Sequence, residues 1–112
     1  MSVLFELDRK TILARLGGDE EILEIMIDAF LSDYENNCQQ LLAAWSVRDA
    51  GLIAREAHTL KGLLATLSDE SGAEQAYVLE QKARQGAIAD QDAMVDALVQ
   101  RVRTVAGVLS AR

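Results

Sequence analysis

The chain has 112 residues, no proline, one cysteine and one histidine, and its 18 acidic against 11 basic side chains give a net charge of −7. That length fits a single domain spanning 1–112, the acidic balance is the wrong sign for a nucleic-acid binder, and Cys38 and His58 are too few for an internal disulfide or a histidine-rich metal site. Glu6, Asp8, Arg9 and Lys10 break up the opening as a secretory signal, and no apolar run reaches the roughly 18 residues of a membrane span, so the expectation is a helical domain of a reducing compartment, the cytoplasm.

Asp8 is placed to cap a short first helix carrying Ile12, Leu13 and Leu16, which Gly17-Gly18 ends. Asp19-Glu20-Glu21 opens a long second helix, where acids complement the positive end of the dipole. Its buried stripe reads Ile22, Met26, Phe30, Cys38, Leu41 and Trp45. Leu23, Ile27 and Leu31 form a second stripe, read as the surface under the first helix. From Leu16 to Val47 there are seven acids and no Lys or Arg, read as a solvated outer face. Asp49 caps a third helix that runs to about Leu67. A fourth opens near Ser68 or Ser71, where Ser71-Gly72-Ala73-Glu74 fits a capping box, and ends around Gly86. Asp90 caps a fifth with Met94, Leu98, Val102, Val105 and Leu109 in register. The expected fold is all-α: an antiparallel four-helix bundle with a short additional N-terminal helix.

The third helix carries the functional signal. Ile53, Ala57, Leu60, Leu64 and Leu67 form its core stripe, and His58 lies about 140° or more from the centre of that stripe. Gly51, Ala54, Gly62 and Ala65 share the face of His58 within roughly 40°, and Arg55 and Lys61 flank it at about 60°. One imidazole therefore stands on a strip nearly bare of side chains, edged by two cations. Gly62 costs roughly 1 kcal/mol against alanine inside a helix, and bundle packing does not ask for glycine on an outward face. A partner surface, or a group attached to the ring, does.

Neutral imidazole is a nucleophile at cytoplasmic pH, and phosphoryl transfer asks of a protein mainly placement and charge stabilisation. Lys61, outward and unpaired on this reading, is a mobile point charge suited to an anion that arrives and leaves. Glu56 points about 160° away from His58, so a His–Glu pair acting as base and orienter is geometrically poor. Asp90, Asp92 and Asp96 make a metal cluster only by count. The rival class is a non-catalytic acidic interaction module using the same strip without its imidazole; a hydrolase would need a second acid–base group that is not visible.

Ala57-His58-Thr59-Leu60-Lys61-Gly62 resembles the A-H-x-L-K-G motif of histidine-containing phosphotransfer (HPt) domains. Leu16-Gly17-Gly18-Asp19, Phe30 and Leu79-Glu80 extend the resemblance across most of the chain. Ser68 stands where the family often has glycine, and Gly72 where leucine is usual. The resemblance implies a four-helix bundle in which His58 is phosphorylated through Nε2, Lys61 helps hold the phosphoryl group and Gly62 leaves it space. It implies a phosphocarrier of multistep two-component signalling, with response-regulator receiver domains and a hybrid sensor kinase as partners. It implies no intrinsic cofactor, with Mg²⁺ on the receiver; nothing in the sequence requires a dimer, so a monomer is the expectation. Thr59 and the absence of proline separate the chain from the phosphoacceptor hairpins of sensor kinases, so autokinase activity is not expected. Met1 suits a free-standing protein, though a segment of a hybrid kinase would read alike.

Overall fold

A computed structural model describes residues 4–112 and contains five helices and, among those residues, no strand: α1 (Arg9–Arg15), α2 (Glu20–Ser46), α3 (Ala50–Thr66), α4 (Glu70–Arg84) and α5 (Asp92–Ser110). Helices α2 to α5 pack in a closed ring, with α3 between α2 and α4, α5 between α4 and α2, and α1 laid against α2. Short joints make consecutive helices antiparallel. The core is aliphatic: Leu23, Ile27, Leu41, Ile53, Leu64, Leu79, Leu98, Val102, Val105 and Leu109 are all fully buried.

The aspartates that open α1, α2 and α3 act as the periodicity predicts. Asp8, Asp19 and Asp49 each accept a side-chain hydrogen bond from the backbone N–H three residues on, at Thr11, Ile22 and Leu52. Asp69 does the same for α4 toward Gly72, so this helix begins between the two expected serines and has no capping box. The expected Asp90 cap of α5 is corrected. Gln91 holds that position without a side-chain bond, and Asp90 turns the chain at φ +63.

The ends of α2, α3 and α4 are closed alike. The N–H of the second residue past the cap reaches back to a carbonyl five residues earlier: Asp49 to Ala44, Asp69 to Leu64, Ala87 to Lys82. The residue before it bonds three back and is left-handed: Arg48 at φ +53, Ser68 at +61, Gly86 at +73. At the first two joints the last residue of this motif is itself the next helix's cap, so α2, α3 and α4 follow one another without a linker. Ser68→Gly is expected to stabilise the fold by about 1 kcal/mol, the cost of holding a side chain in the left-handed region. The side-chain contact it gives up, from Arg15 to Ser68 Oγ, is solvent-exposed. Thermal denaturation of the two proteins checks it.

The upper half of α2 departs from its expected stripe. Leu23 and Ile27 are fully buried, whereas Ile22 is 45% exposed, because α2 turns this face to the bundle and α1 covers only its edge. Trp45 is partly exposed and its Nε1 donates to Asp92 at 2.6 Å. The acidic face of α2 is solvated but also fastened. Arg9 from α1 pairs with Glu20 and Glu24, Arg103 from α5 with Glu35, and Arg112 with Glu24 and Asp28.

Candidate functional site

Helix α3 turns His58 outward, with 61% of its side chain exposed. Gly51, Arg55, Gly62 and Ala65 are exposed around it. A Cβ built on Gly62 meets nothing within 4 Å, so the strip is open where the sequence leaves it bare. Ala54 is a correction: it is 4% exposed and belongs to the core. Because α3 is flanked by both α2 and α4, its buried sector is wider than one apolar stripe and takes in Ala54 and Glu56.

The residue that the sequence reading missed comes from α4. Glu80 is 3% exposed, and its carboxylate collects the charged groups of the site. Oε2 lies 3.1 Å from His58 Nδ1 and accepts from Arg84 Nε at 3.0 Å and a terminal nitrogen at 2.7 Å. Lys61 Nζ stands 3.0 Å from Oε1 as an ion pair. Lys61 is therefore not outward and unpaired, as expected, but drawn toward α4, where its ammonium also sits 5.2 Å from the centre of the Tyr77 ring. Only the match of Leu79-Glu80 to the leucine-glutamate pair of the family resemblance pointed at this carboxylate, and it assigned no role to Glu80. Its reach to His58 depends on the register of α4 against α3.

Burial pushes the Glu80 carboxyl up, but hydrogen bonds and charge from Arg84, Lys61 and His58 outweigh it and hold the group at about 2. Glu80 is thus ionised at neutral pH and can only accept. Nδ1 of a neutral His58 must then carry the proton and donate it, which leaves the lone pair on Nε2. The fold thereby favours the tautomer whose lone pair is on Nε2, the ring nitrogen that Glu80 does not engage. In a chain of net charge −7, Lys61 and Arg84 share the Glu80 carboxylate with His58, while Arg55, exposed on α3, pairs with Glu56 at 3.6 Å.

On the α2 flank, Met26, Ala29, Phe30, Thr59 and Leu63 line an apolar furrow of about 230 Å³ that adjoins the strip. Among the described residues, no three His, Cys, Asp or Glu side chains converge as a metal site. Asp92 is instead engaged by Trp45 and Arg48. Cys38 is fully buried and its thiol is pushed up to about 11 by burial, which keeps it unreactive. No helix of the described residues is long and apolar enough to cross a membrane.

No curated protein and no solved structure matches the chain. The family model described as Hpt domain matches residues 25–107, a span that contains His58, Lys61, Gly62, Glu80 and Arg84 and covers well over half of the sequence. Hpt domains are histidine phosphotransfer units of phosphorelays and interact with receiver domains. With an outward imidazole on the third of five helices and a match of this extent, the chain belongs to the Hpt domain family.

Proposed function

We propose that the protein carries a phosphoryl group on His58 Nε2 between the aspartates of receiver domains in a multistep phosphorelay, in the cytoplasm and as a monomer. The observation that carries the reading is the Glu80 carboxylate behind Nδ1 of a ring that is 61% exposed, which leaves Nε2 as the unengaged nitrogen. In the forward step the Nε2 lone pair attacks the phosphorus of a receiver aspartyl phosphate. A P–N bond forms, the P–O bond breaks, and its electron pair leaves on the aspartate carboxylate. His58 keeps its Nδ1 proton throughout, so the ring's new positive charge faces Glu80 and no general base is needed. The reverse step returns the phosphoryl group by the same path.

The carboxylate beside His58 is already engaged by Arg84, Lys61 and the ring, so this side of the joint site has no ligand set for a divalent cation. The proposal leaves Mg²⁺ to the receiver, where it would neutralise phosphoryl oxygens. The chain has no nucleotide-binding glycine loop, so the phosphoryl group enters from a partner, a hybrid sensor kinase's receiver at one end and a response regulator at the other.

The test is transfer from a receiver domain carrying labelled phosphate. Label on the wild type that is acid-labile and base-stable, and absent from His58→Gln, supports the carrier. Receiver binding with no label on either protein would support an interaction module instead. Gly62→Leu refines the assay. Its side chain enters open space in the free protein and leucine is the better helix former, so thermal stability is expected to rise. Transfer is expected to fall roughly tenfold, the kinetic equivalent of about 1.4 kcal/mol, because the branched side chain stands where the receiver must approach. Unchanged transfer would mean that the bare strip is not the contact surface.

A further inference from the structure

Tyr77 has no part in the proposed transfer, yet among the described residues it is the one aromatic side chain that touches a charged group of the site. It lies on α4 one turn before Glu80, 44% exposed, with Lys61 Nζ 5.2 Å from its ring centre. Lys61 is a long side chain with four rotatable bonds, and its single ion pair with Glu80 fixes a distance but not a direction. The ring face supplies the second restraint. An ammonium within about 6 Å of an aromatic centroid is attracted by the ring quadrupole, and here the ring and the carboxylate approach it from the same helix. Held so, the ammonium stays on the α4 side of α3, beside the carboxylate that also holds His58, and does not wander into solvent.

We infer that Tyr77 is a positioning residue for phosphotransfer: its ring, together with the Glu80 carboxylate, holds the Lys61 ammonium beside His58, ready for the oxygens of the incoming phosphoryl group. This rests on the phosphocarrier reading of His58. It assigns Tyr77 no contact with the phosphoryl group itself. Its effect passes through Lys61, so the ring face matters and the hydroxyl does not.

The experiment combines a resting-state readout with a kinetic one. In the unphosphorylated protein, the Lys61 ε-methylene protons lie near the ring and are expected to show an upfield ring-current shift. That shift should persist in Tyr77→Phe and vanish in Tyr77→Leu. In transfer from a phosphorylated receiver, Tyr77→Leu is expected to be about two- to fivefold slower, the size of one partly exposed cation–π contact, and Tyr77→Phe to rescue most of that loss. In a Lys61→Ala background the Tyr77→Leu change should add nothing, since both remove the same interaction. Wild-type transfer by Tyr77→Leu, or an equal slowing with and without Lys61, would overturn the inference; the second result would make Tyr77 a direct receiver contact. A wild type that accepts no label would sink the phosphocarrier reading and the kinetic role with it, while the ring-current arm still reports whether the contact exists.

Discussion

Glu80→Leu is expected to slow phosphotransfer to His58 by about 10²-fold while leaving the bundle folded. A neutral imidazole without a fixed acceptor favours the tautomer with its proton on Nε2, the nitrogen that must attack. Glu80 reverses that preference through Nδ1. Leucine fits the buried position but accepts nothing, so the proton moves to Nε2 and the nucleophilic lone pair turns inward. Supporting groups of this kind are worth about 10- to 100-fold elsewhere, and a wrong histidine tautomer costs still more in hydrolases. The same substitution removes the counter-charge for the imidazolium formed on transfer. Imidazole nitrogen chemical shifts report the tautomer directly. A variant slowed as expected but with its proton still on Nδ1 would assign the effect to charge alone.

Glu80→Gln separates the two contributions, since its amide oxygen can still accept from Nδ1 but carries no charge, and a smaller loss is expected. It also isolates a pH effect. The folded-state pKa of Glu80 is depressed, from an ordinary value of 4.5 to about 2. Its contribution to stability is therefore fully present above pH 4.5 and is lost as pH falls through 2. A shift of that size corresponds to about 3 kcal/mol. Arg84 and His58 are more than half exposed, so screening reduces the expected effect to about 1–2 kcal/mol. Urea denaturation at pH 7 and pH 2.5 should show the wild type losing most of that amount relative to Glu80→Gln, the remainder going below pH 2.5.

The helix pattern, the Asp8 and Asp49 caps and the outward direction of His58 are legible because each depends on residues within one or two turns. What was not legible lies across helices or in the backbone. No local rule says that α4 sets Glu80 behind His58, or that Lys61 bends toward α4 and not outward. Ala54 reads as surface on a wheel centred on one stripe and is buried because α3 has two neighbours. The joints at Arg48 and Ser68 are left-handed without the glycine that usually announces such a turn. Asp69 looks like one acid among several after α3. It is instead the α4 cap and a buried partner of Arg101, 32 residues away. The two departures from the family's pattern are answered by that neighbourhood. Ser68 takes the left-handed position in which a glycine would be at ease, and Gly72 clears space for Asp69.

That last point yields a destabilisation larger than any other single change expected here: Gly72→Ala should lower stability by about 3 kcal/mol, even though alanine is the better helix former by about 1 kcal/mol. A Cβ on Gly72 would lie 2.9 Å from Asp69 Cγ, closer still to its Oδ2, and 3.0 Å from Leu64 Cδ1. Asp69 cannot swing aside. Its Oδ1 caps the Gly72 N–H at 3.1 Å, and both its oxygens are taken by Arg101, at 2.9 Å to Nε and 2.6 Å to a terminal nitrogen, in a pair whose side chains are 2% and 6% exposed. To admit the methyl group, the carboxylate must leave the guanidinium, stranding a buried charge at a cost of about 3–5 kcal/mol and loosening the start of α4. Gly62→Ala is the internal control. It too replaces glycine inside a helix, but into open space, and should stabilise by up to about 1 kcal/mol. Opposite signs at these two glycines in urea denaturation would show that one is kept for the fold and the other for what approaches it. A stabilising Gly72→Ala would mean that the Asp69–Arg101 pair yields easily and does not set the geometry of the α3–α4 joint on which the His58–Glu80 register depends.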